Sequence, residues 1–143
     1  MTLRHKLINQ LVLDEGYRLK AYRCTSGKVT IGVGRNLDDL GISDAEAMIL
    51  LSNDIDRILF ECEKAFNFWE VLDNDRKSVL LNMCFNLGIT GLCKFKQTLE
   101  SIRTGNYELA SRQMLESKWA RQVGNRAIRL SKIMADSSRT TNF

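Results

Sequence analysis

The chain has 143 residues, 44% of them hydrophobic and 27% charged, with no proline. That is ordinary globular composition on a chain long enough for a compact domain with a real core, which argues against disorder, and the lack of proline suits long helices. Lys and Arg total 21 against 17 Asp and Glu, a net charge of +4; this fits an anionic partner (nucleic acid, an anionic membrane face, an acidic polymer) or simply keeps the protein soluble.

Residues 3 to 15 predict an amphipathic helix. Leu3, Leu7, Ile8, Leu11 and Val12 share one face, Thr2 can cap its start, and Gly16 stands where helices stop. Residues 17 to 35 change character. Thr25-Ser26-Gly27-Lys28 is a turn signal between flanks rich in Tyr, Val, Thr and Ile. This predicts a β-hairpin, with or without a third short strand after Gly34. Ser43-Asp44-Ala45-Glu46 is a capping box opening a long helix to about Phe66, which could link a small β-lobe to a helical lobe. Further helices are expected at 73 to 87 with Gly88 as the stop, 93 to 104, 107 to 118 and 126 to 135. The tail from Asp136 to Phe143 reads as polar and loose. No repeat or linker is visible, and the fold class is α+β.

Cys24, Cys62, Cys84 and Cys93 include no C-x-x-C pair, and His5 is the only histidine. Neither a metal nor any other cofactor is expected. The low cysteine density fits a reducing cytoplasm, with a Cys84–Cys93 disulfide as the less favoured alternative. Met1 to Ile8 carries charges where a signal peptide needs an apolar run, and no segment approaches the length of a membrane-spanning helix.

Glu15 is the first candidate for chemistry. At the end of a helix it meets the negative pole of the dipole, and Leu11, Val12 and Leu19 could desolvate it. Both effects favour the protonated form that a general acid needs. On position alone it reads more readily as a surface glutamate. Cys24 lies at the hairpin turn, where a thiol is accessible but is more often a small buried hydrophobe. Thr30 fits a strand by propensity, and its hydroxyl could equally hold a water.

Together these residues say more than each alone. Asp14-Glu15-Gly16-x-x-Leu19-x-Ala21-Tyr22, followed by Gly27-x-x-Thr30-Ile31-Gly32-x-Gly34, closely resembles the signature of phage-type lysozymes, the endolysins of glycoside hydrolase family 24. That family's triad is a Glu, then after eight residues an Asp or Cys, then after five more a Thr; Glu15, Cys24 and Thr30 match without a gap. The resemblance extends over Asn82 to Gly91, Phe95, Ser117-Lys118-Trp119 and Asn125 to Arg129. It implies a single lysozyme-like domain over 1 to 143: an N-terminal helix, a small β-lobe at about 16 to 42, a long connecting helix and a helical lobe at about 66 to 135. It further implies that Phe85, Asn86, Thr98 and Gln113 line the helical side of a cleft, that Arg126 pairs with Glu15, and that Arg35 pairs with Asp54. Two departures stand out. The segment from Asn36 to Ile42 is shorter than in T-even phage members, implying a smaller upper lobe, and Cys24 stands where those members have Asp.

The implied activity is hydrolysis, with inversion, of the β-1,4 bond between N-acetylmuramic acid and N-acetylglucosamine in peptidoglycan, leading to lysis of a bacterial host. Glu15 would protonate the leaving oxygen while Cys24 and Thr30 hold the attacking water. Cys24 could act as a thiolate favoured by Arg18 or Arg23, could only orient the water, or could form a covalent adduct, the lowest-ranked route. The implied setting is a monomer made in the host cytoplasm, without stable membrane insertion, reaching the wall in the periplasm through a holin-type pore. Two rivals remain: a nucleic-acid binder using Arg121, Arg126, Arg129 and Lys132, and a peptidoglycan-binding homologue that does not cut.

Overall fold

The computed structural model describes residues 1–136; the residues after Asp136 in the expected loose tail lie outside them. The chain forms two compact units, Met1–Leu50 and the remainder from Leu51. The class is α+β, as expected: the described residues form seven α-helices and one three-stranded antiparallel sheet.

The first unit opens with α1 (Leu3–Glu15). Thr2 caps it by accepting a hydrogen bond from the His5 N–H at 3.2 Å. The sheet follows as β1 (Arg18–Arg23), β2 (Val29–Gly32) and β3 (Arg35–Asn36), in that spatial order. The third strand is therefore real but only two residues long. Beyond it Asn36 and Asp39 brace a tight turn: the Asp39 N–H donates to Asn36 Oδ1 at 3.0 Å, and the Asn36 side-chain amide donates to Asp39 Oδ2 at 2.9 Å. The Val29 N–H donates to the Asp38 carboxylate at 2.8 Å, pinning this turn back onto β2. The capping box forms as the sequence predicts. The Glu46 N–H donates to Ser43 Oγ at 3.1 Å, and Glu46 Oε1 accepts from the Ser43 N–H at 2.9 Å. It starts α2 (Asp44–Ala65), which runs on through Leu51.

The second unit holds the apolar core. Ile58 and Cys62 on α2 join Trp69, Val79, Leu80, Met83, Leu92, Ile102, Met114, Trp119, Leu130 and Met134, all buried. A single 3₁₀ turn (Trp69–Val71) leads into α3 (Asn74–Cys93), followed by α4 (Lys96–Arg103), α5 (Tyr107–Leu115), α6 (Lys118–Val123) and α7 (Asn125–Ala135). The expected stop at Gly88 is a break inside α3, where φ is 74° and ψ 163°, after which the helix resumes to Cys93. The fourth helix accordingly starts later than the spacing predicts. The expected helix over 107 to 118 ends early, at Leu115, and a short helix that the spacing does not predict, α6, follows from Lys118. Ser117 ends one and begins the other: its hydroxyl donates to the Met114 carbonyl at 2.7 Å and accepts from the Ala120 N–H at 3.1 Å. A serine in a continuous polar and apolar pattern gives little warning of that double role. Among the described residues no single helix is long and apolar enough to cross a membrane.

Arg76 is the one charged residue in this interior, 2% exposed. Its Nε donates to the Met134 carbonyl at 2.7 Å, its Nη1 to Asp73 at 3.1 Å, and its guanidinium lies 3.7 Å from the centre of the Tyr107 ring. Asp73 also caps α3, accepting from the Arg76 N–H at 3.2 Å. One side chain thus ties the start of α3 to the end of α7 and to α5. Truncation leaves a buried carbonyl and a carboxylate without their partner. We expect Arg76→Ala to lower unfolding stability by about 2–4 kcal/mol, measured by urea denaturation.

Candidate active site

The three residues of the expected triad, Glu15, Cys24 and Thr30, all belong to the first unit. Glu15 is the last residue of α1, and the Gly16 N–H closes that helix on the Val12 carbonyl at 3.0 Å. Its side chain lies against the backbone of Gly34. A Cβ built at Gly34 would come 2.9 Å from Glu15 Oε2 and 3.0 Å from its Cβ, and Gly34 has φ of 65°. Only glycine fits there, both for space and for backbone conformation. Leu11, Val12 and Leu19, expected beside Glu15, are themselves 40%, 37% and 77% exposed.

Cys24 and Thr30 are set by the hairpin. Arg23 pairs with Val29 and Tyr22 with Thr30 across β1 and β2. At the turn the Cys24 N–H donates to the Lys28 carbonyl at 2.9 Å, and the Gly27 N–H donates to the Cys24 carbonyl at 2.8 Å. The Thr30 hydroxyl also donates to the Lys28 carbonyl, at 2.9 Å. Thr30 is the only buried residue of the first unit, and Cys24 is half-buried. Because the single Thr30 hydroxyl proton is committed to Lys28, the hydroxyl can only accept from any further partner.

The Cys24 thiol is held down at about 7. The Ser26 hydroxyl is the first cause, at 3.0 Å from the sulfur, followed by the main-chain N–H groups of Lys28 and Ser26. Hydrogen bonds of this kind favour the thiolate. The arginines the sequence points to do other work. Arg18 lies 4.4 Å from the centre of the Tyr22 ring, and Arg23 Nη1 donates to the Gly27 carbonyl at 3.0 Å, strapping the turn. Neither appears among the groups that shift the thiol. Ser26 is the functional neighbour that the sequence reading treats only as a turn former. By contrast burial pushes the Cys62 and Cys84 thiols up, as inert core sulfurs, and all four cysteines are free thiols.

The residues of the expected ion pairs have these partners within their own units. Arg35 donates to Glu46 Oε1 at 2.8 Å and to the Gly41 carbonyl at 3.2 Å, whereas Asp54 pairs with Arg57 at 3.1 Å. Arg35 reaches Glu46 because the capping box has already drawn that carboxylate to the start of α2. The Arg35 hydrogen bond, then those from Ser43, hold the Glu46 carboxyl well down, at about 2. Beside this pair a groove of about 730 Å³ is lined by apolar side chains including Ile31, Val33, Leu37 and Ile49.

The four positions expected to line the helical side fall into separate places in the second unit. Thr98 and Gln113 share a depression of about 820 Å³ with Phe95, Trp119, Lys94, Lys96 and Lys118. Thr98 is buried, and the Gln113 amide oxygen accepts from Ser101 at 2.8 Å. Asn86 Oδ1 accepts from the Trp119 indole at 2.8 Å, fixing the ring that borders this depression. Phe85 lies instead in a smaller groove of about 310 Å³ with Asn82, Ile55 and Arg126. Arg126, expected to pair with Glu15, donates to the Asn82 side chain at 2.9 Å and its carbonyl at 3.2 Å. Among the described residues no cluster of His, Cys, Asp and Glu is arranged to hold a metal ion.

Residues 13–133 match the phage lysozyme family. The chain is similar to Probable T4-type lysozyme 1 of Dictyostelium discoideum, 26% identical over 88% of this chain and 91% of that protein. It is also 29% identical to the Pre-baseplate central spike protein Gp5 of Enterobacteria phage T4, over 85% of this chain but only 26% of the spike's length. A third relative is the Endolysin of Acyrthosiphon pisum secondary endosymbiont phage 1, 28% identical over 78% of this chain and 75% of that protein.

The Arg35–Glu46 pair gives an acid-side signature. A carboxyl lowered in the folded state adds stability above its unfolded value, roughly 4.3, and loses that contribution as pH falls toward about 2. We expect Glu46→Gln, which keeps the capping geometry, to equalise with the wild type across that window while remaining less stable above it. Thermal midpoints measured from pH 2 to 6 check this.

Proposed function

The chain belongs to the phage lysozyme family, whose members hydrolyse the bacterial cell wall as glycosidases, and on that premise we propose that it is an endolysin cutting the β-1,4 bond between N-acetylmuramic acid and N-acetylglucosamine. The observation that carries this reading is the first unit's own geometry: Glu15 fixed against Gly34, with Cys24 and Thr30 tied to one carbonyl of the hairpin turn.

Glu15, as the acid, gives its proton to the glycosidic oxygen as the bond to the muramic acid carbon breaks. A water attacks that carbon from the opposite face, so the configuration inverts. One water hydrogen points to Thr30, which can accept because its own proton is given to Lys28. The other points to the Cys24 sulfur, which takes it as the water oxygen bonds to carbon. A thiol titrating at about 7 is a usable base at neutral pH, where an ordinary cysteine would be largely protonated. Solvent then returns the proton from Cys24 to Glu15. This supports the base role for Cys24 over the other two that the sequence allows, and it needs no arginine.

Thr98, Gln113 and Asn86, with the Trp119 ring that Asn86 fixes, are proposed to bind the polymer on the second unit. Arg126 is proposed as a second partner of Glu15. Exit from the host cytoplasm through a holin-type pore is the proposed route to the wall, and the protein is proposed to act as a monomer.

Turbidity loss of outer-membrane-permeabilised Gram-negative cells tests the reading. Wild type is expected to clear them and Glu15→Gln to lose at least about a hundredfold in rate, while Cys24→Asp keeps measurable activity. No clearing by wild type, with retained binding to purified wall, would instead identify a homologue that binds without cutting. Gly34→Ala is expected to displace Glu15 and cost on the order of a hundredfold in clearing rate with little change in wall binding.

A further inference from the structure

The side chain that faces the Cys24 sulfur most closely is Ser26, at 3.0 Å between Oγ and Sγ. Three hydroxyls crowd this turn, on Thr25, Ser26 and Thr30, yet they are not equivalent. Thr30 gives its proton chiefly to the Lys28 carbonyl, so its hold on the sulfur is the weakest of the group. Arg23, the nearest cation in sequence, is engaged with the Gly27 carbonyl. The Ser26 hydroxyl is thus the leading side-chain donor to the sulfur, ahead of the main-chain N–H groups of Lys28 and Ser26, with the Thr30 hydroxyl contributing least. A hydroxyl gains little by donating to a neutral thiol and much more by donating to a thiolate.

We propose that Ser26 is a positioning residue for the hydrolytic reaction, its hydroxyl and the turn amides holding the Cys24 sulfur in one place as a thiolate ready to take a proton from water. This rests on the reading of Cys24 as the base and extends it to a residue outside the triad. Ser26 acts through Cys24 and touches no reacting atom. It stands exposed in the turn, where its removal leaves the strand register and the Lys28 carbonyl contacts intact. The arrangement explains how a cysteine can serve where a carboxylate would otherwise be needed: the turn supplies donors that a carboxylate would not require, since its ordinary range already lies well below neutral.

The test is site-resolved alkylation. The full-length protein is treated with iodoacetamide from pH 5 to 10, and modification of the Cys24 peptide is followed by mass spectrometry, so that Cys93 does not contribute. In wild type the reaction is expected to show a midpoint near pH 7. In Ser26→Ala the midpoint should rise by about one pH unit, making alkylation at pH 7 roughly fivefold slower. Ser26→Thr, which keeps a hydroxyl, should restore most of the difference. An unchanged midpoint in Ser26→Ala, or no restoration by Ser26→Thr, overturns the proposal.

The wall-clearing profile separates this from the function it rests on. In Ser26→Ala the acid limb of kcat should move up with the thiol midpoint while KM stays the same. A moved midpoint beside an unmoved clearing profile would overturn Cys24 as the base and leave Ser26's hold on the sulfur standing. An unmoved midpoint beside normal clearing would overturn the role of Ser26 and leave the hydrolase reading intact.

Discussion

The Lys28 carbonyl accepts two hydrogen bonds, from the Cys24 N–H and from the Thr30 hydroxyl, each at 2.9 Å. The first closes the hairpin turn and places the cysteine at its mouth. The second turns the threonine inward and spends its only hydroxyl proton. A single oxygen therefore fixes both the position of one proposed catalytic side chain and the polarity of the other. Slipping the register by one residue would reverse the faces of β2, exposing Thr30 and breaking the cross-hairpin bond from Cys24. The remaining features of the site, Ser26 on the sulfur and Gly34 against Glu15, depend on this register because they lie on either side of it along the same short sheet.

The two units are held by different physics. In the first, Thr30 is the only buried residue, and order comes from directed hydrogen bonds: the turn, the Asn36–Asp39 brace, the capping box and the Arg35–Glu46 pair. In the second, a buried apolar cluster does most of the work, and Arg76 adds a polar tie where three helices meet. Hydrogen bonds specify geometry sharply but contribute modestly to net stability, whereas burial stabilises without prescribing where a particular oxygen sits. Placing the triad on the first unit gives it the kind of order that chemistry requires, and Gly34 shows the tolerance involved: one added carbon would meet the Glu15 side chain.

The cysteines display the same contrast. Four thiols of identical intrinsic acidity are separated by surroundings alone. Burial raises Cys62 and Cys84, and donors at a turn lower Cys24 to about 7. Neither effect requires a nearby cation, and the lowering of Cys24 comes entirely from hydrogen-bond donors at the turn. The chain belongs to the phage lysozyme family, and the local chemistry of its Cys24 thiol comes chiefly from Ser26 and the turn amides.

The sequence by itself determined what depends on neighbours in the chain. Thr2, Ser43 and Glu46 start their helices as their residue types demand, and Gly16 ends α1. The turn from Thr25 to Lys28 makes the hairpin, and the spacing of Glu15, Cys24 and Thr30 was readable because all three lie within one helix end and one hairpin. Tertiary structure decided what long side chains and helix breaks do. Arg35 takes Glu46, Arg126 takes Asn82, and Arg76 turns into the core, because a flexible cation pairs with whichever acceptor the backbone brings within reach. Ser117 separates α5 from the unexpected α6 because its hydroxyl can bond backward and forward at once. Ser26 reads in sequence as a turn former, and only the folded turn sets its hydroxyl 3.0 Å from the Cys24 sulfur. Local propensity is written residue by residue, but a hydrogen bond or ion pair is a matter of distance, and distance across the chain exists only once the chain has folded.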